Sequence, residues 1–142
     1  MRFSPQLADF EGLWQLRRVI QDRMGKTEGR FEGRAVFRPA PVGLHYHEEG
    51  HLKLGPGPEM KAVRDYLWRE ADGRIAVDYG DGQPFHDFDP VEPEARHRCA
   101  PDEYRVRYDF SGWPNWSAVW VVSGPRKDYT MISRYSRESD AG

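Results

Sequence analysis

Glu48, Arg64 and Tyr66 fall on one face of two alternating runs within Gly43–Trp68, and that face otherwise carries Leu44, Tyr46, Leu52 and Trp68. A carboxylate on an apolar, aromatic face has to be paired, because an isolated buried charge is too costly to keep. Arg18, reaching across Gly33, is the expected partner. Arg64 is then left over. A guanidinium takes a carboxylate or phosphate in bidentate fashion, so the chemistry on offer is capture of an anionic group beside an aromatic wall. The expected ligand-lining set is Arg18, Tyr46, Glu48, Arg64, Tyr66, Trp68, Tyr79, His86, His97, Tyr108, Trp120 and Tyr135. The same residues admit an enzyme that uses interior Glu, Tyr and Arg side chains in acid–base chemistry. Glu48 would then be the general acid–base, Tyr66 and Tyr79 would hydrogen-bond the substrate and Arg64 would hold its carboxylate. A purely structural Arg18–Glu48 salt bridge is the third reading of the same atoms.

His86, His97 and Cys99 form a second set. His97 and Cys99 are two apart and share a strand face, and a His/His/Cys site can hold zinc with one open position. The paired Cys-x-x-Cys or His-x-x-x-His spacing is missing, so no metal is expected here and zinc stays an alternative. His45, His47 and His51 alternate with the inward residues of their strand and are expected to face solvent.

These side chains need a curved sheet to bring them together. At 142 residues the chain is long enough for a single domain with a real core. Aromatics at 13% beside 31% charged residues argue for a wet exterior around an aromatic interior, and against disorder. A net charge of -2 gives no bulk attraction to nucleic acid. No apolar run spans a bilayer and no leader-like core opens the chain. With one cysteine, the expectation is a cytoplasmic protein without an internal disulfide; a homodimer stays open.

Period-two runs alternate with turn chemistry along most of the chain, including Asp22-Arg23-Met24-Gly25, Gly55-Pro56-Gly57-Pro58, Asp72-Gly73 and Asp81-Gly82. Folding these runs as hairpins predicts Arg18 opposite Gly33, Gly33 opposite Glu48 and Glu48 opposite Tyr66. It continues with Tyr66 opposite Tyr79, Trp68 opposite Val77 and Val77 opposite His86. Each step keeps one face consistent, as a correct register must. Ser4-Pro5 predicts a short helix over about 4–10.

Two resemblances follow from particular residues. Phe10-Glu11-Gly12-Leu13-Trp14 is similar to the F-x-G-x-W opening of lipocalin-type (calycin) barrels, which implies that Trp14 plugs a closed end. Lys127-Asp128-Tyr129 is similar to their T-D-Y motif, with lysine for threonine, and implies that Arg137 stacks on that tryptophan. Over nearly its whole length, the chain more closely resembles an uncharacterised bacterial family, the domain of unknown function numbered 6314. The segments that carry this are GLWQLRRVIQD, GRAVFRP, GLHYHEEGHL, DGQPFHDFDP, YDFSGWPNW and GPRKDYTMISRYSR. The expectation is an all-β, up-and-down antiparallel calycin/lipocalin-like barrel of about nine or ten strands, one domain over 1–142 with the barrel at about 12–137. Its expected partner is a small amphipathic or aromatic molecule with an anionic group, with no nucleic acid, membrane or cofactor. As alternatives, the calycin resemblance implies haem held through one histidine, His86 or His97, or an enzyme of lyase or isomerase type acting on a small aromatic acid.

Overall fold

A computed structural model describes residues 3–137; residues 1–2 and 138–142 of the expected domain lie outside the described residues. Ten strands follow one another among the described residues. They are β1 (Gly12–Asp22), β2 (Thr27–Pro39), β3 (Leu44–Leu54), β4 (Glu59–Ala71) and β5 (Arg74–Tyr79), then β6 (Pro84–Phe88), β7 (Glu94–Cys99), β8 (Asp102–Asp109), β9 (Trp116–Gly124) and β10 (Lys127–Arg137). All pair antiparallel in the order β6-β5-β4-β3-β2-β1-β10-β9-β8-β7. The sheet curls into a nearly closed up-and-down barrel. Its two ends, β6 and β7, meet along a seam that no ladder of hydrogen bonds crosses.

The expected short helix is corrected to a single 3-10 turn, Leu7–Phe10. Its first turn is held by the Gln6 amide donating to Asp9 Oδ2 at 2.8 Å, rather than by Ser4. The segment stops there because its working part is Phe10, which points into the barrel and is fully buried against Phe37, Trp68 and Trp116, with centroids 5.2–5.6 Å away. Burying such a ring is worth about 1.5–3 kcal/mol. Trp14 lies beneath it, donating from Nε1 to the Phe10 carbonyl at 2.8 Å. Arg137 closes this end from outside, its guanidinium 3.8 Å from the Trp14 ring centroid. It also donates to the Glu11 and Asp9 carbonyls at 2.8 and 2.6 Å. One end of the barrel is therefore filled with rings.

Three hairpin registers differ from the expected ones. Arg18 lies opposite Phe31, Glu48 opposite Ala35, and Arg64 opposite Glu48. In each case the turn centre moves by one residue, so pairs slide by two and every side chain keeps its face. In the first hairpin the cause is visible. Asp22 Oδ1 accepts from the Met24 and Gly25 amides, both at 3.1 Å, and pulls the turn toward β1. Downstream, Tyr66 opposite Tyr79, Trp68 opposite Val77 and Val77 opposite His86 are as expected. There Asp72 and Gly73 have φ of 51° and 78°, the left-handed pair of a tight hairpin.

Gly33 is required for a reason other than a crossing arginine. It faces Gly50 on β3, and a Cβ on Gly33 would strike the backbone of Glu49 and Gly50. The two glycines let β2 and β3 come close where the barrel bends.

Candidate functional site

Above the ring-filled end lies a cavity of about 310 Å³. Of the expected ligand-lining set, Arg18, Tyr46, Glu48, Arg64, Tyr66, Trp68, Tyr79, His86, Tyr108, Trp120 and Tyr135 all line it. His97 does not; it stands on β7 beside the seam, its ring 5.2 Å from Phe85. The alternation of β1, β3, β4, β5, β6, β8, β9 and β10 brings the set together, since inward residues of neighbouring strands stack in layers.

The deepest polar group is the Arg18–Glu48 pair. Arg18 donates from Nη1 to Glu48 Oε2 at 2.8 Å and from Nη2 to Oε1 at 3.0 Å, and from Nε to Ser133 Oγ at 2.7 Å. Tyr46 donates to Glu48 Oε1 at 2.7 Å and shares a 2.9 Å hydrogen bond with the Tyr135 hydroxyl. Arg18 is 9% exposed and Glu48 2%, so the pair has almost no water to lean on. Burial alone would push the Glu48 carboxyl up. The Arg18 charge, its hydrogen bonds and the Tyr46 hydroxyl outweigh that and hold Glu48 below the usual carboxylate range. Burial likewise pulls Arg18 down, and Glu48 reverses it, leaving the guanidinium more firmly protonated. This network is closed on itself: the carboxylate stays ionised, with three donors already on it.

Arg64 is different. It lies opposite Glu48 on β4, at the open end, exposed, and contributes to lowering the Glu48 pKa. Among the described residues it makes no hydrogen bond or ion pair. Tyr66 and Tyr129 line the cavity close to it, and burial, with Tyr104 and Tyr66 nearby, raises the Tyr129 phenol against the opposing pull of Lys127 and Arg64. Burial also pushes Tyr79 to about 12, so its hydroxyl is protonated throughout the neutral range.

His86 shares a 2.9 Å hydrogen bond between Nε2 and the Tyr108 hydroxyl, while its Nδ1 is buried without a partner. Burial, reinforced by His97, lowers its pKa to about 3, so the ring is neutral. Among the described residues Tyr108 makes no other side-chain hydrogen bond, so the ring pair leaves fewest orphans when Tyr108 donates to Nε2. Cys99, expected inward beside His97, is exposed at the end of β7. His86, His97 and Cys99 are thus not gathered, and among the described residues no three His, Cys, Asp or Glu side chains are placed to hold a metal. His45 and His47 lie on the outer face as expected, sharing Asp65 Oδ1 at 3.0 and 2.7 Å.

Sequence reasoning missed Phe85, Tyr129, Met131 and Ser133. The last three share the inward parity of Tyr135 and were within reach of the alternation argument. Phe85 was not, because it sits next to His86 and simple alternation turns it outward.

Fold and cavity define the class: an antiparallel up-and-down β-barrel, plugged by aromatic rings at one end and hollow toward the other. The model of the family of unknown function DUF6314 matches residues 10–137, and the chain belongs to that family, as the sequence resemblance implied. No curated protein matches the chain in sequence. Among solved structures it is similar to a barrel from the de novo design of a fluorescence-activating β-barrel. The two are 14% identical, with 91% of this chain and 94% of that chain covered and a TM-score of 0.38. Among the described residues no helix is long and apolar enough to cross a membrane.

Proposed function

We propose that this barrel is a cytoplasmic carrier or sensor of a small amphipathic molecule with a flat apolar body and an anionic group, held in the internal cavity. The observation that carries the reading is the contrast between two arginines on one wall. Arg18 is committed to Glu48 and Ser133 through three hydrogen bonds, whereas Arg64, at the open end of the same cavity, makes no hydrogen bond or ion pair among the described residues. The ligand's charge meets Arg64, with Tyr66 beside it, and its body lies against Trp68, Trp120 and the His86–Tyr108 pair. A volume of about 310 Å³ is at the small end of the ~300–1,000 Å³ typical of ligand sites, which favours one or two fused rings over a large lipid.

The enzymatic alternative is less well supported. A general acid needs a carboxyl that gives up a proton near neutral pH, and Glu48 is held ionised with its lone pairs engaged.

The test is calorimetry and thermal shift with 2-naphthoate. Binding to the wild type, weakened about tenfold or more by Arg64→Gln as expected for a charge-assisted bond, supports the reading. If neither 2-naphthoate nor a shorter aryl carboxylate stabilises the protein at millimolar concentration, the reading fails.

A further inference from the structure

The seam carries a feature that the binding reading does not explain. On β5 and β6, Val77 pairs with His86 but Asp78 pairs with Pro84, so Phe85 is an extra residue with nothing opposite it. A bulge of this kind re-aims a side chain, and bulges concentrate at sheet edges and beside functional sites. Here Phe85 is turned inward next to the inward His86 and is only 7% exposed. Its ring stacks on Tyr79 at 4.4 Å and 20°, and on Trp120 at 5.2 Å and 9°. Tyr79 is on β5, next to β6, and Trp120 is on β9, two strands from β7 on the other side of the seam, so Phe85 lies between them like a ring in a sandwich.

Phe85 lines the internal cavity and also a second hollow of about 480 Å³ on the outer side of β6 and β7, lined by Arg69, Arg74 and Arg96 with Asp78, Asp87 and Glu94. It stands on a five-residue strand hydrogen-bonded on one side only. An aromatic ring in the aromatic slot of a cavity, carried by a short edge strand of the wall, is a place-holder that can leave without unravelling the barrel.

We propose that the Tyr79–Trp120 slot is the subsite for the ligand's ring, and that Phe85 occupies it until a planar aromatic ligand displaces it toward the seam. This rests on the proposed binding function and adds to it a ligand class, flat aromatic anions rather than saturated ones of equal size, and a gate. A flat ring replaces the stacking that Phe85 gives up; a puckered ring does not.

The experiment compares wild type, Phe85→Ala and Phe85→Leu by calorimetry and stopped-flow tryptophan fluorescence, with 2-naphthoate and its saturated analogue decalin-2-carboxylate. Expected for wild type is a binding rate that levels off at high 2-naphthoate, because displacement limits it. In Phe85→Ala the plateau is lost and 2-naphthoate binds about tenfold tighter, since no stacked ring has to be moved. Phe85→Leu, which keeps bulk without a flat ring, carries the test if the alanine variant does not fold. In wild type, decalin-2-carboxylate is expected to bind about tenfold more weakly than 2-naphthoate. If 2-naphthoate binds in an Arg64-dependent way but Phe85 substitution changes neither rate nor affinity, the slot and gate are wrong and the binding reading stands. Equal affinity for the flat and saturated acids also overturns the slot. No binding to wild type or to either variant overturns both.

Discussion

The two sides of this barrel are built by different rules. On the side formed by β1 to β4 and β10, long strands pair without interruption and the buried ion pair is bidentate and further hydrogen-bonded by Ser133 and Tyr46, with Tyr135 behind Tyr46. On the side formed by β5 to β7, strands are five or six residues long, a bulge breaks the register, and β6 meets β7 without a ladder. That side also holds a buried imidazole nitrogen without a partner, His86 Nδ1; the other such atom among the described residues, Trp116 Nε1, is on β9, outside both groups of strands. Buried polar groups in native proteins are nearly always satisfied, and unbroken pairing is what a sheet gains most from. One side therefore meets the requirements of stability, and the other departs from them where the cavity wall meets the outside. Departures of this kind collect at functional sites, because a ligand or a moving segment supplies what the resting fold leaves out.

The largest expected consequence lies on the well-satisfied side. Glu48→Gln leaves the Arg18 guanidinium buried without its counter-charge and should cost about 3–5 kcal/mol in urea unfolding, while replacing both partners with apolar residues of similar volume should cost far less. A loss below about 1 kcal/mol for the single substitution would mean that Arg18 finds water, and the contrast between the two sides would collapse.

Acid should act through the other side. The His86 pKa is about 3 in the folded chain against 6.5 when unfolded, so between those values the unfolded state binds the extra proton. Stability from this residue is complete above about pH 6.5 and falls as pH drops toward 3, by about 3 kcal/mol at pH 4. Comparing the pH dependence of wild type with His86→Gln isolates that contribution; identical slopes would place His86 in contact with water. The smallest effect is expected for the exposed Arg107–Glu94 pair, 2.7 Å long with side chains 72% and 62% exposed. Arg107→Ala should change stability by less than about 0.5 kcal/mol, read from the same unfolding curves. A loss comparable to that of Glu48→Gln would show the seam side to be held by surface charge after all.

Much of the first side was legible in the sequence. The face of Arg18, Tyr46, Glu48, Tyr66 and Trp68 followed from alternation, and the pairing of Arg18 with Glu48 followed from the cost of an unpaired charge. Registers were legible only to within a turn residue, because loop composition does not say whether Asp22 will draw the first turn back toward β1. That error was harmless to the faces, since moving a turn centre by one slides the pairs by two.

A bulge is the opposite case: one extra residue reverses parity locally. Nothing in Gln83-Pro84-Phe85-His86 tells which of two neighbours will be unpaired, so Phe85 was hidden while His86 was found. The alternation of polar and apolar residues, together with the physics of buried charge, therefore determined the barrel, its inner face and its central ion pair. Those properties depend only on period and desolvation, which are local or additive. Which ring stands in the cavity and where the sheet fails to close were decided by the tertiary structure alone. They depend on how the two ends of a ten-stranded sheet meet after closure, and no segment of the chain contains that information by itself.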